Sequence, residues 1–431
     1  MRPRIQGTEH EYTFYSRKMS QMGVDPHILG LDLLKESDLH SAGEWTQNGS
    51  RAYYDVGHLE ISTAETTNAR DVVVWEKAGE KIVDWLRKMV EEKYLGPDVK
   101  LWAFKNNTSP DGTSYGSHEN YCVSRDLAFP EAFTRDLVPH LVTRFAYTGA
   151  GDLIDRKYVL SPMAYLTSSL VSGETMHSTG VLNTRDEPHA LAQRWRRLHL
   201  LVGDALMNET AILLRHFTTS AILDLMEDEA LGDVPRLVDP VKDMWHNVEH
   251  MNPEKWRMTL KDGSQVSPLE IQRYYLAKVE EIVETDEERR TLRLWEEVLG
   301  DLEARKSKEL ASKVEWLDRY YAIEEAAEEK RAFEVEMMAA KQYSEVGQDR
   351  GLYYSRQEQG LVDRVTTDEE ILEAVYEPPT NTRAALRRRL CDDYKVVAID
   401  WSYVVVDDGG RKRINLPDPY ATELEEVLVP A

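Results

Sequence analysis

The stretch NGSRAYYDVGHLEISTAE, residues 48–65, decides how the chain folds. Asn48-Gly49 is a turn signal, and the Tyr, Ile and Thr content after it predicts strand. On a strand, residues two apart face the same side. Arg51, Tyr53 and Asp55 therefore present a cation, a phenol and a carboxylate on one face. Gly57 permits a bend or bulge, after which His58, Glu60 and Ser62 form a second alternating set. The planar fork of Arg51 suits phosphate oxygens, and Asp55 can take a proton from an incoming nucleophile. A cross-strand salt bridge explains Arg51 and Asp55 equally well, and the pattern alone leaves both readings open.

Upstream, RIQGTEHEYTFY (4–15) also alternates, which puts Glu9 and Glu11 on one side of a strand. Two carboxylates that close are unfavourable in a low-dielectric cleft unless a cation lies between them, and magnesium accepts carboxylate and phosphate oxygens together. Solvated glutamates on an edge strand are the plain alternative.

Downstream, residues 71–92 carry apolar groups at helical spacing and 99–107 read as a strand. Lys105-Asn106-Asn107 and then Ser114 to Asn120 offer polar groups beside small residues. Consecutive strand residues cannot all face one cleft, so at most two of His118, Glu119 and Asn120 can line it. In Asn183–His189, Arg185 and His189 can face a phosphate or carboxylate, while Asp186, Glu187 and Pro188 read as the start of a helix over 190–217. Residues 267–342 are helical and charged, with solvated outer faces. The arginines at 194, 196 and 197 and at 383 and 387–389 read as solvated helix faces, or as landing points for an acidic partner. Near Gly360 the pattern changes to a capped helix (366–375), a Pro-rich loop (377–383) and a strand pair ending in an Asp-Gly turn (396–410). A large domain over 1–358 and a small one over 359–431 follow.

The 53 basic and 77 acidic residues give a formal charge of -24, which argues against nucleic acid as a partner. No apolar run approaches the roughly 20 residues that span a bilayer, and MRPRIQGTEHEY carries no signal-peptide core. Cys122 and Cys391 are too few for a disulfide framework or zinc cluster. A cytoplasmic protein without membrane partners is expected. Walker, GxGxxG, GxSxG and HExxH motifs are missing from the sequence. Any nucleotide site must then be built from carboxylates and metal on an open sheet.

Read together and in order, GTEHEY, NGSRAYYDVGHLEISTAE, KNNTSPDGTSYGSHENY, LNTRDEPHA, RWRRLHLLVGD, VTTDEEILEAV, PPTNTRA and VAIDWSYVVV resemble the Pup ligase/depupylase family over nearly the whole chain. The resemblance implies an α+β fold: a glutamine-synthetase-like curved antiparallel sheet cradle backed by helices, with a small C-terminal α/β domain. It implies ATP and Mg2+ as cofactors, with Glu9, Tyr53 and Glu60 as metal ligands and Asp55 as the catalytic acid-base. It also implies ATP contacts from Arg51, Thr63 and Trp401, to which Arg185 is added as a phosphate-facing group. The implied reaction phosphorylates the side chain of the C-terminal glutamate of Pup, or of a Pup-like modifier, and joins it to a lysine of a target protein. The alternative is a depupylase/Pup deamidase that hydrolyses that isopeptide or a C-terminal glutamine amide. DVG, STAE, LVTR and DPY look like the ligase, as does the span of only about 35 residues between Tyr12 and Asn48. WEKAGE, SHENY and the Asp55, His58, Glu60 spacing look like the depupylase, and Leu59 stands where both branches usually have proline. The ligase is the favoured reading.

Overall fold

The alternation along residues 6–15 becomes strand β1 (Gln6–Tyr15), which buries His10, Tyr12 and Phe14 on one side and leaves Glu9 and Glu11 on the other. The computed structural model describes residues 1–96, 99–109, 113–174, 179–328 and 332–424. Among these, ten strands join one sheet. After β1 come β2 (His40–Ala42), β3 (Trp45–Thr46), β4 (Arg51–Asp55), β5 (His58–Ser62), β6 (Trp102–Phe104), β7 (Ser117–Ser124), β8 (Ser169–Ser172), β9 (Gly180–Asn183) and β10 (Trp195–Leu200). Their order is β8-β9-β10-β7-β1-β5-β4-β3-β2, and β6 pairs with the far end of β1. Pairing is antiparallel throughout except between β8 and β9.

One face of this sheet is apolar, and two long helices cover it. Helix α1 (Ala69–Val90) is capped by the Asn68 side chain and packs Val74, Ala78 and Ile82 with Tyr12, Leu59 and Ile61. Helix α2 (Glu209–Glu227), capped by Asn208, packs Ile212 and Leu214 in the core that holds Tyr121, Val123, Leu198 and Leu200. The charged helices expected over 267–342 are present, beginning with Pro268–Glu280 and Asp286–Glu303, and bury their Leu, Val and Trp stripes. Among the described residues, no helix is long and apolar enough to cross a membrane.

Two expectations fail here. Residues 190–217 are not one helix: 195–200 form β10, 201–208 are irregular, and α2 starts only at Glu209. The run of long apolar and basic residues fits either period, and backbone pairing with β7, a contact distant in sequence, decides for strand. Pro188 thus precedes a loop and a strand, and Asp186 caps no helix but pairs with Arg125 and Arg196. The second failure is Arg383 and Arg387, which are buried rather than solvated.

Those two arginines fasten the C-terminal elements to the sheet. Helix α3 (Asp368–Tyr376), with its Thr367–Glu370 capping box, packs Ile371, Ala374 and Val375 toward the body. Helix α4 (Arg383–Asp393) and strands β11 (Lys395–Asp400), β12 (Tyr403–Asp407) and β13 (Arg411–Asn415) enclose a separate small core of Leu386, Leu390, Val404, Val406 and Leu416. The expected strand pair is β11–β12, and the Asp-Gly turn leads into the third strand. Glu65, just past β5, accepts hydrogen bonds from Arg383 Nε at 2.9 Å and Arg387 Nη1 at 2.7 Å. Arg387 also donates to the Trp401 carbonyl at 3.0 Å, and its guanidinium lies 4.6 Å from the Trp45 ring and 5.2 Å from the Trp401 ring.

Burial alone would push Glu65 up, but the charges of Arg387 and Arg383 hold it down at about 2. Because its folded value lies below its ordinary value of 4.5, the stabilisation is complete above about pH 4.5 and lost as pH falls toward 2. Glu65→Ala leaves two buried guanidinium groups without a counter-ion. It is expected to cost about 3–5 kcal/mol in urea unfolding at pH 7 and to flatten the acid limb of stability between pH 4.5 and 2.

Candidate active site

The face of the sheet opposite the helices is concave, polar and open. Its alternating positions converge on a cavity of about 600 Å³ lined by Glu9, Glu11, Arg51, Tyr53, Asp55, His58, Glu60, Ser62, His118, Arg185, Arg197, His199 and Trp401, among others. The register explains the convergence. Glu11 pairs with Glu60 across β1–β5, Tyr53 with Glu60 across β4–β5, and Glu9 with His118 across β1–β7.

Glu9 is the best-satisfied carboxylate. Arg197 donates to it at 2.7 Å, and His199 and His118 stand 3.5 and 3.6 Å away. Burial alone would raise its pKa, but the Arg197 charge, with help from both histidines, keeps it ionised well below the usual carboxylate range. Glu60 is the opposite case. Burial, followed by the negative charge of Glu9 and then of Glu11 and Asp55, pushes it up to about 8, against a hydrogen bond from the Tyr53 hydroxyl. Tyr53, half-buried beside Glu60 and Glu9, stays a neutral phenol far above its ordinary range, through desolvation and then those two negative charges.

Arg51 donates two hydrogen bonds to Glu44, at 2.9 and 2.6 Å, and lies over the Tyr53 ring. Arg51 thus makes the cross-strand ion pair of the plain reading, with Glu44 beside β3, whereas Asp55 stands exposed at the hairpin end. Thr63 Oγ1 accepts from the Thr8 amide at 3.0 Å and lines an adjoining 110 Å³ cavity with Pro188, His189, Pro419 and Trp401. Arg185 reaches the main cavity from the loop after β9. All seven residues singled out by resemblance, together with Arg185, therefore line one of the two joined cavities. Lys105 and Glu119 do not: both point into the core, Lys105 onto Glu76 and Glu80, and Glu119 onto Arg144. Of the His118, Glu119, Asn120 run, alternation leaves His118 and Asn120 on the cavity side. Gly116 is needed for contact: a Cβ there would lie 2.7 Å from His118 Nε2 and 2.8 Å from Glu11 Oε1.

Sequence reasoning missed Arg197 and His199 as site residues. Misreading β10 as helix hid them, although the Trp195, Arg197, His199 alternation was there to be read. His199 is 4% exposed and, among the described residues, has no hydrogen-bond partner on either ring nitrogen; burial holds it neutral, its pKa well below the usual. Ligand atoms of Glu9, His118 and His199 all lie within 4.8 Å of one another. A neutral imidazole with a free lone pair beside an ionised carboxylate is a donor set suited to a divalent cation.

Several known proteins resemble this chain over nearly its whole length. The model of the family described as Pup-ligase protein matches residues 9–405. A Pup–protein ligase of Acidimicrobium ferrooxidans is 33% identical over 447 residues, covering 98% of this chain and 97% of that protein. One of Kribbella flavida is 32% identical over 450 residues, covering 99% and 98%. Among solved structures, the complex between Prokaryotic Ubiquitin-like Protein Pup and its ligase PafA superposes with a TM-score of 0.86 at 27% identity, covering 99% of this chain and 92% of that one. The Pup ligase PafA in complex with ADP gives 0.81 at 29% identity, covering 96% and 93%.

The crowding of Glu60 makes a prediction for the protein without divalent cation. A carboxyl whose folded value is about 8 and ordinary value 4.5 favours folding in its protonated form, so stability falls as pH rises between those limits. In EDTA, Glu60→Gln should melt at higher temperature than wild type at pH 8.5, with the gap closing toward pH 5. A gap independent of pH would contradict the assignment.

Proposed function

The chain belongs to the Pup-ligase family, and from that premise we propose that it is an ATP-dependent Pup–protein ligase, joining the C-terminal glutamate of Pup to lysines of target proteins. The observation that carries this reading is the gathering of Glu9, Glu11, Tyr53, Glu60 and Asp55 with Arg51 and Arg197 on one concave sheet face. The relatives' names speak for joining rather than hydrolysis, so the depupylase alternative is set aside.

The donor set fits magnesium, because Glu60 is crowded by three carboxylates and has only a phenol to answer them. Glu9, Tyr53 and Glu60 would hold the ion, with Glu11, His118 and His199 beside them. When bound, it supplies counter-charge to the polyphosphate. Arg51 and Arg185 orient phosphate oxygens. Thr63 and Trp401 wall the nucleotide, and the Glu65 clamp on Arg387 fixes Trp401. A Pup carboxylate oxygen attacks the γ-phosphorus, the bond to ADP breaks, and an acyl phosphate results. The lysine nitrogen then attacks the acyl carbon, the C–N bond forms, and inorganic phosphate leaves. Asp55, exposed at the cavity mouth, receives the proton lost by the lysine. The same reading divides the chain into a catalytic body, 1–358, and a small domain, 359–431, that contributes Trp401. It also places the reaction in the cytoplasm, where ATP and targets meet.

Asp55→Asn should lower conjugate formation by about 10²–10⁴-fold while ATP affinity changes little, measured by gel assay and equilibrium binding. Equal loss of both would remove Asp55 from its role. Glu9→Ala should abolish the magnesium dependence of ATP binding; unchanged affinity would take Glu9 out of the metal shell.

A further inference from the structure

The turn closing the β4–β5 hairpin holds an expensive residue. Val56 and Gly57 both take positive φ, 42° and 97°, the two-residue geometry in which Asn-Gly and Asp-Gly are favoured. Gly57 meets that demand without strain. Val56, β-branched, does not, because its second γ-carbon crowds the backbone in the left-handed region. Packing returns little: Val56 is 61% exposed and, among the described residues, belongs to none of the hydrophobic clusters. Yet it lines the main cavity, next in sequence to Asp55. Behind them His58, the cross-strand partner of Asp55, meets the wall residue Tyr115 edge-on, with ring centroids 4.7 Å apart.

We infer that Val56 is the apolar wall of the acceptor-lysine subsite, covering the methylene stem of the lysine whose amine gives its proton to Asp55. The inference rests on the ligase reading and deepens it. A lysine side chain is charged at its tip and apolar along four methylenes, so a subsite for it needs a carboxylate and an apolar surface side by side. The hairpin tip supplies both in consecutive residues that line the cavity. A nucleophile without a stem has no use for the wall.

The test compares two nucleophiles, n-butylamine and hydroxylamine, in capturing the activated glutamate of Pup with ATP and magnesium, for the full-length protein and for Val56→Asn and Val56→Ile. Asparagine accepts the backbone geometry but removes the apolar surface. Isoleucine keeps both the surface and the strain. The ratio of kcat/KM for butylamine to that for hydroxylamine should fall about tenfold in Val56→Asn, the worth of roughly two buried methylenes. It should be held or raised in Val56→Ile. An unchanged ratio in Val56→Asn overturns the subsite. So does a rise in KM for Pup with both nucleophiles alike, which would give Val56 to the modifier instead. Absence of product with either amine from the wild-type protein would overturn the ligase reading itself.

Discussion

Four carboxylates, Glu9, Glu11, Asp55 and Glu60, share one face of a sheet whose other face is the hydrophobic core, and this crowding is what the rest of the structure must sustain. The strand period of two imposes it. Sliding β1 by one residue would bring Glu9 and Glu11 into the core and His10, Tyr12 and Phe14 into the cavity, so the burial that folds the protein also fixes the site. Among the described residues, only Glu9 of these four has a full cationic partner, Arg197. Glu60 bears the remaining strain as a displaced pKa, and displaced titrations of this kind mark functional sites.

Beneath the cradle the core is unusually ionic. Lys105, fully buried, donates to Glu76 at 2.6 Å and Glu80 at 2.8 Å, and His10 stands 3.1 Å from Glu76. Glu119 grips Arg144, and Arg215 donates to the Asp204 carbonyl. Burial holds His10 down at about 4, so it is neutral at pH 7 and adds no positive charge of its own. Such pairs add little net stability over apolar packing, but removing one partner is costly, and they tie α1, β1, β7 and α2 into a single register. The positions facing the cavity therefore rest on a layer that cannot shift piecemeal.

How much of this the sequence revealed depends on how local each signal was. Alternation in 6–15 and 51–62 exposed β1, β4 and β5 and the side chains on their open faces, because strand period acts within a few residues. The segment 195–200 was misread because its apolar and basic residues also suit a helix, and only its pairing with β7 makes it a strand. Arg197 and His199 were lost with it. Arg383 and Arg387 looked like solvated charge because Glu65, their partner, lies more than 300 residues away. The C-terminal elements were legible, through the Thr367 capping box and the Asp-Gly turn, but the clamp of Glu65 on Arg387 that holds Trp401 at the cavity was not. Resemblance supplied the expectation that Thr63 and Trp401 line the site, which spacing alone could not.

The central claim, that the acidic sheet face holds a cation-bound triphosphate, is tested most directly by anomalous diffraction from crystals grown with manganese and a non-hydrolysable ATP analogue. The account predicts manganese density among Glu9, Glu11 and Glu60, in contact with the phosphates and below the Arg51 side. Manganese found only at surface carboxylates, or a nucleotide lying outside the two joined cavities, would contradict it.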